Sequence, residues 1–156
     1  MRSRPIFGRL LPALALALAA SPAQAITCAI VGTTPVSFGG YDVFSSSQLD
    51  STGDVTVHCS SVGSDTIQVE LSAGGASSFA PRELSRAGGG TLDYNLYLNA
   101  GRTNIWGDGS GTTSILSGYS PPEDVDDTLP IYGRIPSGQA AIAGAYGDTL
   151  VVTVNY

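Results

Sequence analysis

Lysine is absent from this chain, and histidine, tryptophan and methionine each occur once. A nucleophile needs a base beside it, and His58 is the one imidazole available. Without lysine there is no phosphate loop, so the glycine-rich run from Gly107 to Gly111 reads as a turn. Thirteen acidic residues stand against seven basic ones. Nucleic acid and anionic bilayers both attract clustered cations, and neither is expected as a partner. No apolar run reaches the roughly 20 residues that cross a bilayer, which argues against direct membrane insertion. No nucleophile elbow of the G-x-S-x-G kind is found either. We expect no catalytic residue, no metal site and no cofactor, and therefore no enzyme.

What is present begins with a leader. Arg2, Arg4 and Arg9 precede a short Leu/Ala run from Leu10 to Ala20, and Ala23-Gln24-Ala25 offers small residues for a signal peptidase. This pattern predicts a secretory signal over 1–25 and one exported domain over 26–156. Three arginines leave with the leader, so Arg82, Arg86, Arg102 and Arg134 then face all thirteen acids. The two cysteines, Cys28 and Cys59, survive processing, and an even pair in an exported chain reads as a disulfide.

Period-2 alternation predicts an all-β chain. Val55, Val57 and Cys59 share a face opposite Thr56 and His58. Ile67, Val69 and Leu71 alternate with Gln68 and Glu70, and Leu92, Tyr94, Leu96 and Leu98 with polar neighbours and Tyr97. Leu150, Val152, Val154 and Tyr156 do the same at the end of the chain. Shorter strands are predicted near Cys28–Val31, Pro35–Phe38, Thr112–Leu116 and Leu129–Ile135. Turn clusters such as Gly39-Gly40, Gly74-Gly75 and Gly88-Gly89-Gly90 separate the runs, a density that suits a β-sandwich or barrel. Gly147-Asp148 reads as a turn into the last strand.

Two further features bear on chemistry. Glu123-Asp124-Val125-Asp126-Asp127 could offer hard oxygens to calcium, but it lacks EF-hand spacing and follows Pro121-Pro122, so a solvated acidic loop is expected. Trp106 and Tyr97 are expected to pack in the core or between strands, with a surface role as the alternative.

Taken in order, several segments resemble the spore coat U domain family, which includes subunits of archaic chaperone–usher pili. They are Cys28, Val36 to Asp42, Leu49 to Gly53, Val55 to Cys59, Leu92 to Tyr97, Arg102 to Gly109, Tyr132 to Gln139 and Gly144 to Tyr156. The resemblance implies an immunoglobulin-like sandwich that lacks one strand. A periplasmic chaperone would fill the gap first, and an outer-membrane usher would exchange that strand for one from a neighbouring pilus subunit. The product would be an adhesive surface fibre, exported through the periplasm to the cell surface. Apolar residues of the first and last strands would line the acceptor groove: Val36, Phe38, Leu150, Val152, Val154 and Tyr156.

One departure from the family pattern shapes the expectation. Polymerising subunits carry an alternating apolar donor segment before the first cysteine, whereas cleavage after Ala25 would leave only Ile26 and Thr27. Two extended residues span about 7 Å at most, too little to fill a groove. The chain is therefore expected to accept a strand without donating one, as a tip or minor subunit. Two rival readings stand beside this. One is a self-contained secreted coat protein that needs no usher. The other is a secreted hydrolase or sugar-binding module using Trp106, the tyrosines and the acidic stretch.

Overall fold

The computed structural model describes residues 25–156. The predicted leader, apart from Ala25, lies outside the described residues. Nine strands form two antiparallel sheets: β1 (Thr27–Thr34), β2 (Leu49–Ser60), β3 (Ile67–Leu71), β4 (Arg82–Arg86), β5 (Thr91–Tyr97), β6 (Leu116–Tyr119), β7 (Asp126–Ile135), β8 (Tyr146–Gly147) and β9 (Val152–Asn155). The larger sheet runs in the order β1-β2-β7-β5-β4-β8 and the smaller in the order β6-β3-β9. No helix occurs among the described residues.

The long strand β2 is the spine. It pairs with β1 on one side and, from Leu49 to His58, with β7 on the other. Its alternation does what the sequence predicts: Val55, Val57 and Cys59 are buried, while Thr56 and His58 are half-buried on the outer face. Cys28 and Cys59 are register partners across β1 and β2 and are joined by a disulfide. Ile67, Val69 and Leu71 of β3 meet this face from the opposite sheet, and Leu92, Leu96, Ile131 and Ile135 complete the core.

Trp106 is buried as expected, with 1% of its surface exposed, and its indole N–H donates to the Val69 carbonyl at 2.9 Å. Beside it lies a residue whose burial composition could not foretell. Arg82 of β4 is fully buried. Its guanidinium donates to the Ser72 carbonyl through Nε and Nη2, to the Trp106 carbonyl and to Asn95 Oδ1. It also stacks over the Phe79 ring, 4.9 Å from the centroid. This fork bolts the end of β3 to β4 and β5, so a single side chain braces one sheet against the other.

Several predicted boundaries move. Pro35–Phe38 is not a strand: Pro35 ends β1, and the chain then turns inward across Gly53. The Thr112–Leu116 prediction lands early, because Thr113 closes a turn on Ser110 and Ser114 makes an isolated bridge to Trp106, and β6 starts at Leu116. Gly147 lies in the two-residue strand β8, paired with Ser85. The last strand shortens to Val152–Asn155. The acidic stretch is only partly a loop, since Asp126 and Asp127 open β7. Asp126 receives His58 Nδ1 at 2.8 Å, and Asp127 accepts the Tyr119 hydroxyl.

Candidate functional site

Both ends of the larger sheet's order matter less than one gap between the sheets. β1 ends the larger sheet and β9 ends the smaller one, and neither has a hydrogen-bonded neighbour on its outer side. Between the segment that follows β1 and the segment that leads into β9 opens a groove of about 1080 Å³. One wall is residues 33–44 and the other residues 141–150 with Val152. Core residues reach its bottom, among them Val55, Leu71, Leu92, Ile131 and Ile135.

The first wall is built by two glycines. β1 runs out at Thr34, and the chain crosses so close to Gly53 that a Cβ there would overlap the Thr34 carbonyl and lie 2.8 Å from the Val36 nitrogen. Beyond the crossing, Val36 and Phe38 settle on Gly133 of β7, where a Cβ would stand 2.7 Å from Phe38 Cζ. Phe38 meets Tyr94 edge-on at 6.1 Å. For backbone groups of residues 35–41 the one hydrogen bond is Ser51 Oγ donating to the Ser37 carbonyl. The wall is therefore apolar inside and carries peptide groups free of a strand partner.

The second wall hangs from three polar anchors. Gln139 acts as a short strand of its own: its amide oxygen accepts the Asp93 N–H at 2.7 Å and its Nε2 donates to the Asp93 carbonyl at 2.9 Å. Tyr41 joins the two walls, donating to the Pro136 carbonyl and accepting from the Gln139 N–H, both at 2.9 Å. Tyr146 closes the 142–146 turn through both peptide groups of Ile142. Asp148 then directs the chain toward β9. It accepts from the Tyr94 hydroxyl at 2.7 Å and from the amides of Gly75 and Thr149. Burial, reinforced by the bond to Asp148, pushes the Tyr94 hydroxyl well above the ordinary tyrosine range.

Of the residues expected at the groove, Val36, Phe38, Leu150 and Val152 line it. Val154 points inward opposite Val69, further along β9, and Tyr156 is mostly exposed beyond the strand end. The first strand itself contributes little; the segment that follows it forms the wall. Sequence reasoning missed the anchors Gln139, Tyr146 and Asp148. Their signal was present in the runs Tyr132 to Gln139 and Gly144 to Tyr156, but a side chain that substitutes for a strand leaves no periodicity. Val43, Phe44 and Ile142 lie at the margins of the groove, with Phe44 93% exposed. Among the described residues no group of three or more His, Cys, Asp or Glu could hold a metal ion, and no helix is long and apolar enough to cross a membrane.

Fold and groove together define a class: an immunoglobulin-like two-sheet sandwich whose interior stays open along one edge. The chain belongs to the Spore Coat Protein U domain family, whose pattern matches residues 14–153. It is 32% identical over 135 residues to Protein U of Myxococcus xanthus, a match covering 80% of this chain and 73% of that protein. Among solved structures it is similar to a chain of the CsuC-CsuE chaperone-tip adhesion subunit pre-assembly complex from archaic chaperone-usher Csu pili of Acinetobacter baumannii. There the TM-score is 0.60 and the identity 20%, with 85% of this chain and 40% of that chain covered. At that identity the likeness is one of fold.

Proposed function

We propose that this protein is an exported structural subunit of a chaperone–usher surface fibre, whose groove accepts a β-strand from another polypeptide. The observation that carries the reading is the groove itself. An apolar channel flanked by the unpaired outer side of β9 and by peptide groups of residues 35–41 suits an extended chain, which can bury alternate side chains and satisfy backbone groups on both flanks. Left empty, such an edge invites aggregation. A periplasmic chaperone would supply the first strand, and a neighbouring subunit, through the outer-membrane usher, the second. The fold shared with a chain of a chaperone–tip subunit complex is consistent with a chaperone as the first partner. The role is structural and adhesive rather than enzymatic, at the cell surface after passage through the periplasm.

Position at the donor-less end of the fibre is part of the same reading. With cleavage after Ala25, the residues ahead of Cys28 are already committed to the fold: Ile26 is buried in the core and Thr27 opens β1. A chain so processed has nothing left to donate. N-terminal sequencing of the exported protein checks this, and a start that retains the Leu10–Ala20 run would overturn the tip assignment alone.

The acceptor reading is tested by producing the full-length sequence with its leader, with and without a periplasmic chaperone of the chaperone–usher class. Recovery only as a one-to-one complex is the expected result. A stable monomer indifferent to the chaperone would sink it and leave the self-contained coat protein.

A further inference from the structure

We infer that Phe44, on the rim of the groove, is a rigid apolar anchor for a folded partner, covered by an apolar surface that the partner carries beside its strand. The inference rests on the acceptor reading above. Eight large apolar side chains are exposed among the described residues, and three of them, Val43, Phe44 and Ile142, line this one cavity. Scattered exposed apolar residues are ordinary, but a gathering at the mouth of an apolar channel marks a contact surface. Phe44 stands on the first wall and Ile142 on the second.

Both are held by polar side chains that bond their own backbone. Asp42 Oδ1 accepts the Phe44 N–H at 2.9 Å, and the Ser45 N–H closes the turn on the Asp42 carbonyl at 3.1 Å. The Tyr146 hydroxyl donates to the Ile142 carbonyl and accepts its N–H. Behind the first turn, Tyr41 is tied across to Pro136 and Gln139. Side chains presented on fixed turns lose little freedom when covered, so their apolar area counts toward affinity. The width of a strand decides what can cover Phe44. Paired strands lie about 4.8 Å apart and alternate their side chains between two faces, so a strand in the channel reaches the floor and the walls beside it. With 93% of its surface open, the Phe44 ring stands clear of those walls and meets such a strand along one side at most. Burying the rest takes a second element carried beside the strand, which a folded domain has and a free extension lacks. Of the two successive occupants proposed above, that is the periplasmic chaperone. The extension of a neighbouring subunit, on replacing it, fills the channel and leaves the ring bare.

The test uses the complex obtained by producing the full-length sequence with its leader together with a periplasmic chaperone of the chaperone–usher class. The photoreactive analogue p-benzoylphenylalanine replaces Phe44 in one preparation and Val125 in another. Val125 is also exposed but lies just before β7, away from the groove. Irradiation is expected to join chain and chaperone from the first site and not from the second. Exchange is read separately, as the rate at which excess tagged chaperone displaces the untagged one. Phe44→Ala should speed that exchange about tenfold, and Val125→Ala should leave it unchanged. A complex that forms without a cross-link from the Phe44 site, or whose exchange Phe44→Ala leaves unchanged, overturns the inference while the acceptor reading stands. A cross-link to a second copy of the chain instead assigns the rim to self-association and overturns it too. If the unsubstituted chain forms no complex with the chaperone, the acceptor reading falls and this inference with it. The cross-linking arm keeps an aromatic ring at the Phe44 site, so it does not depend on how the fold tolerates alanine.

Discussion

Arg82 is a charge without a carboxylate, held by carbonyls and one amide oxygen inside the sandwich. Its burial lowers the guanidinium's proton affinity through desolvation, yet arginine stays charged in proteins. What matters is the fork, which reaches three acceptors on three segments at once. Lysine keeps the charge but offers a single point donor. Arg82→Lys is expected to cost about 3 kcal/mol, read as a lower urea midpoint with unchanged slope. The two wall glycines make an opposite kind of demand, for empty space. Gly133→Ala should push Val36 and Phe38 off β7 at a cost of about 1–3 kcal/mol. Gly53→Ala meets backbone rather than movable side chains and should cost more. On the alkaline side, Tyr119 is pushed up to about 12 from the ordinary 10.0, by burial first and then by its bond to Asp127. The folded state thus holds that proton more tightly than the unfolded one. Its contribution is complete below 10.0 and is lost as pH climbs to about 12, so Tyr119→Phe should flatten the fall of the urea midpoint over that window.

Among the elements, β2, β3, β5 and β7 were legible because their inner faces alternate over five residues or more and are buried by the opposite sheet. β4 was not, since its inward Arg82 looks polar in a string of letters, and β8 is too short to show a period. The wall at 35–38 carries strand-like residues, but a proline and two closely approached glycines override their propensity, which is a tertiary effect no window of sequence contains. Of the six residues expected at an acceptor groove, four line the cavity; Val154 and Tyr156 do not, because β9 runs on past the cavity alongside β3. At the far end of β2, Asp50 takes Arg134 Nε and Nη2 at 2.7 and 2.9 Å and Arg102 at 3.3 Å. The bond from Arg134 holds its carboxyl below the ordinary 3.8. That contribution is present above 3.8 and fades as pH falls through the lower folded value, so Asp50→Asn should make the acid limb of a stability–pH curve shallower. The disulfide ties β2 to its other neighbour, β1. Replacing Cys28 and Cys59 with serine should lower stability by about 3 to 4 kcal/mol in chemical denaturation, through the freed loop of the unfolded chain.

For the whole molecule the telling feature is how its sheet ends differ. β8 is two residues long, and β6 pairs with β3 through a register shift beside Gly118, whose φ is 64°. Neither offers a foreign chain much to template on. Gln139 occupies the stretch of β5 that β7 leaves uncovered. The remaining ends, β1 and β9, flank the same groove. On the acceptor reading proposed above, such a monomer has, in the language of polymer chemistry, a functionality of one. A unit of that kind would cap a line and could neither lengthen nor cross-link it, so the fibre it ends would stay a thread of single-file thickness and never set into a gel.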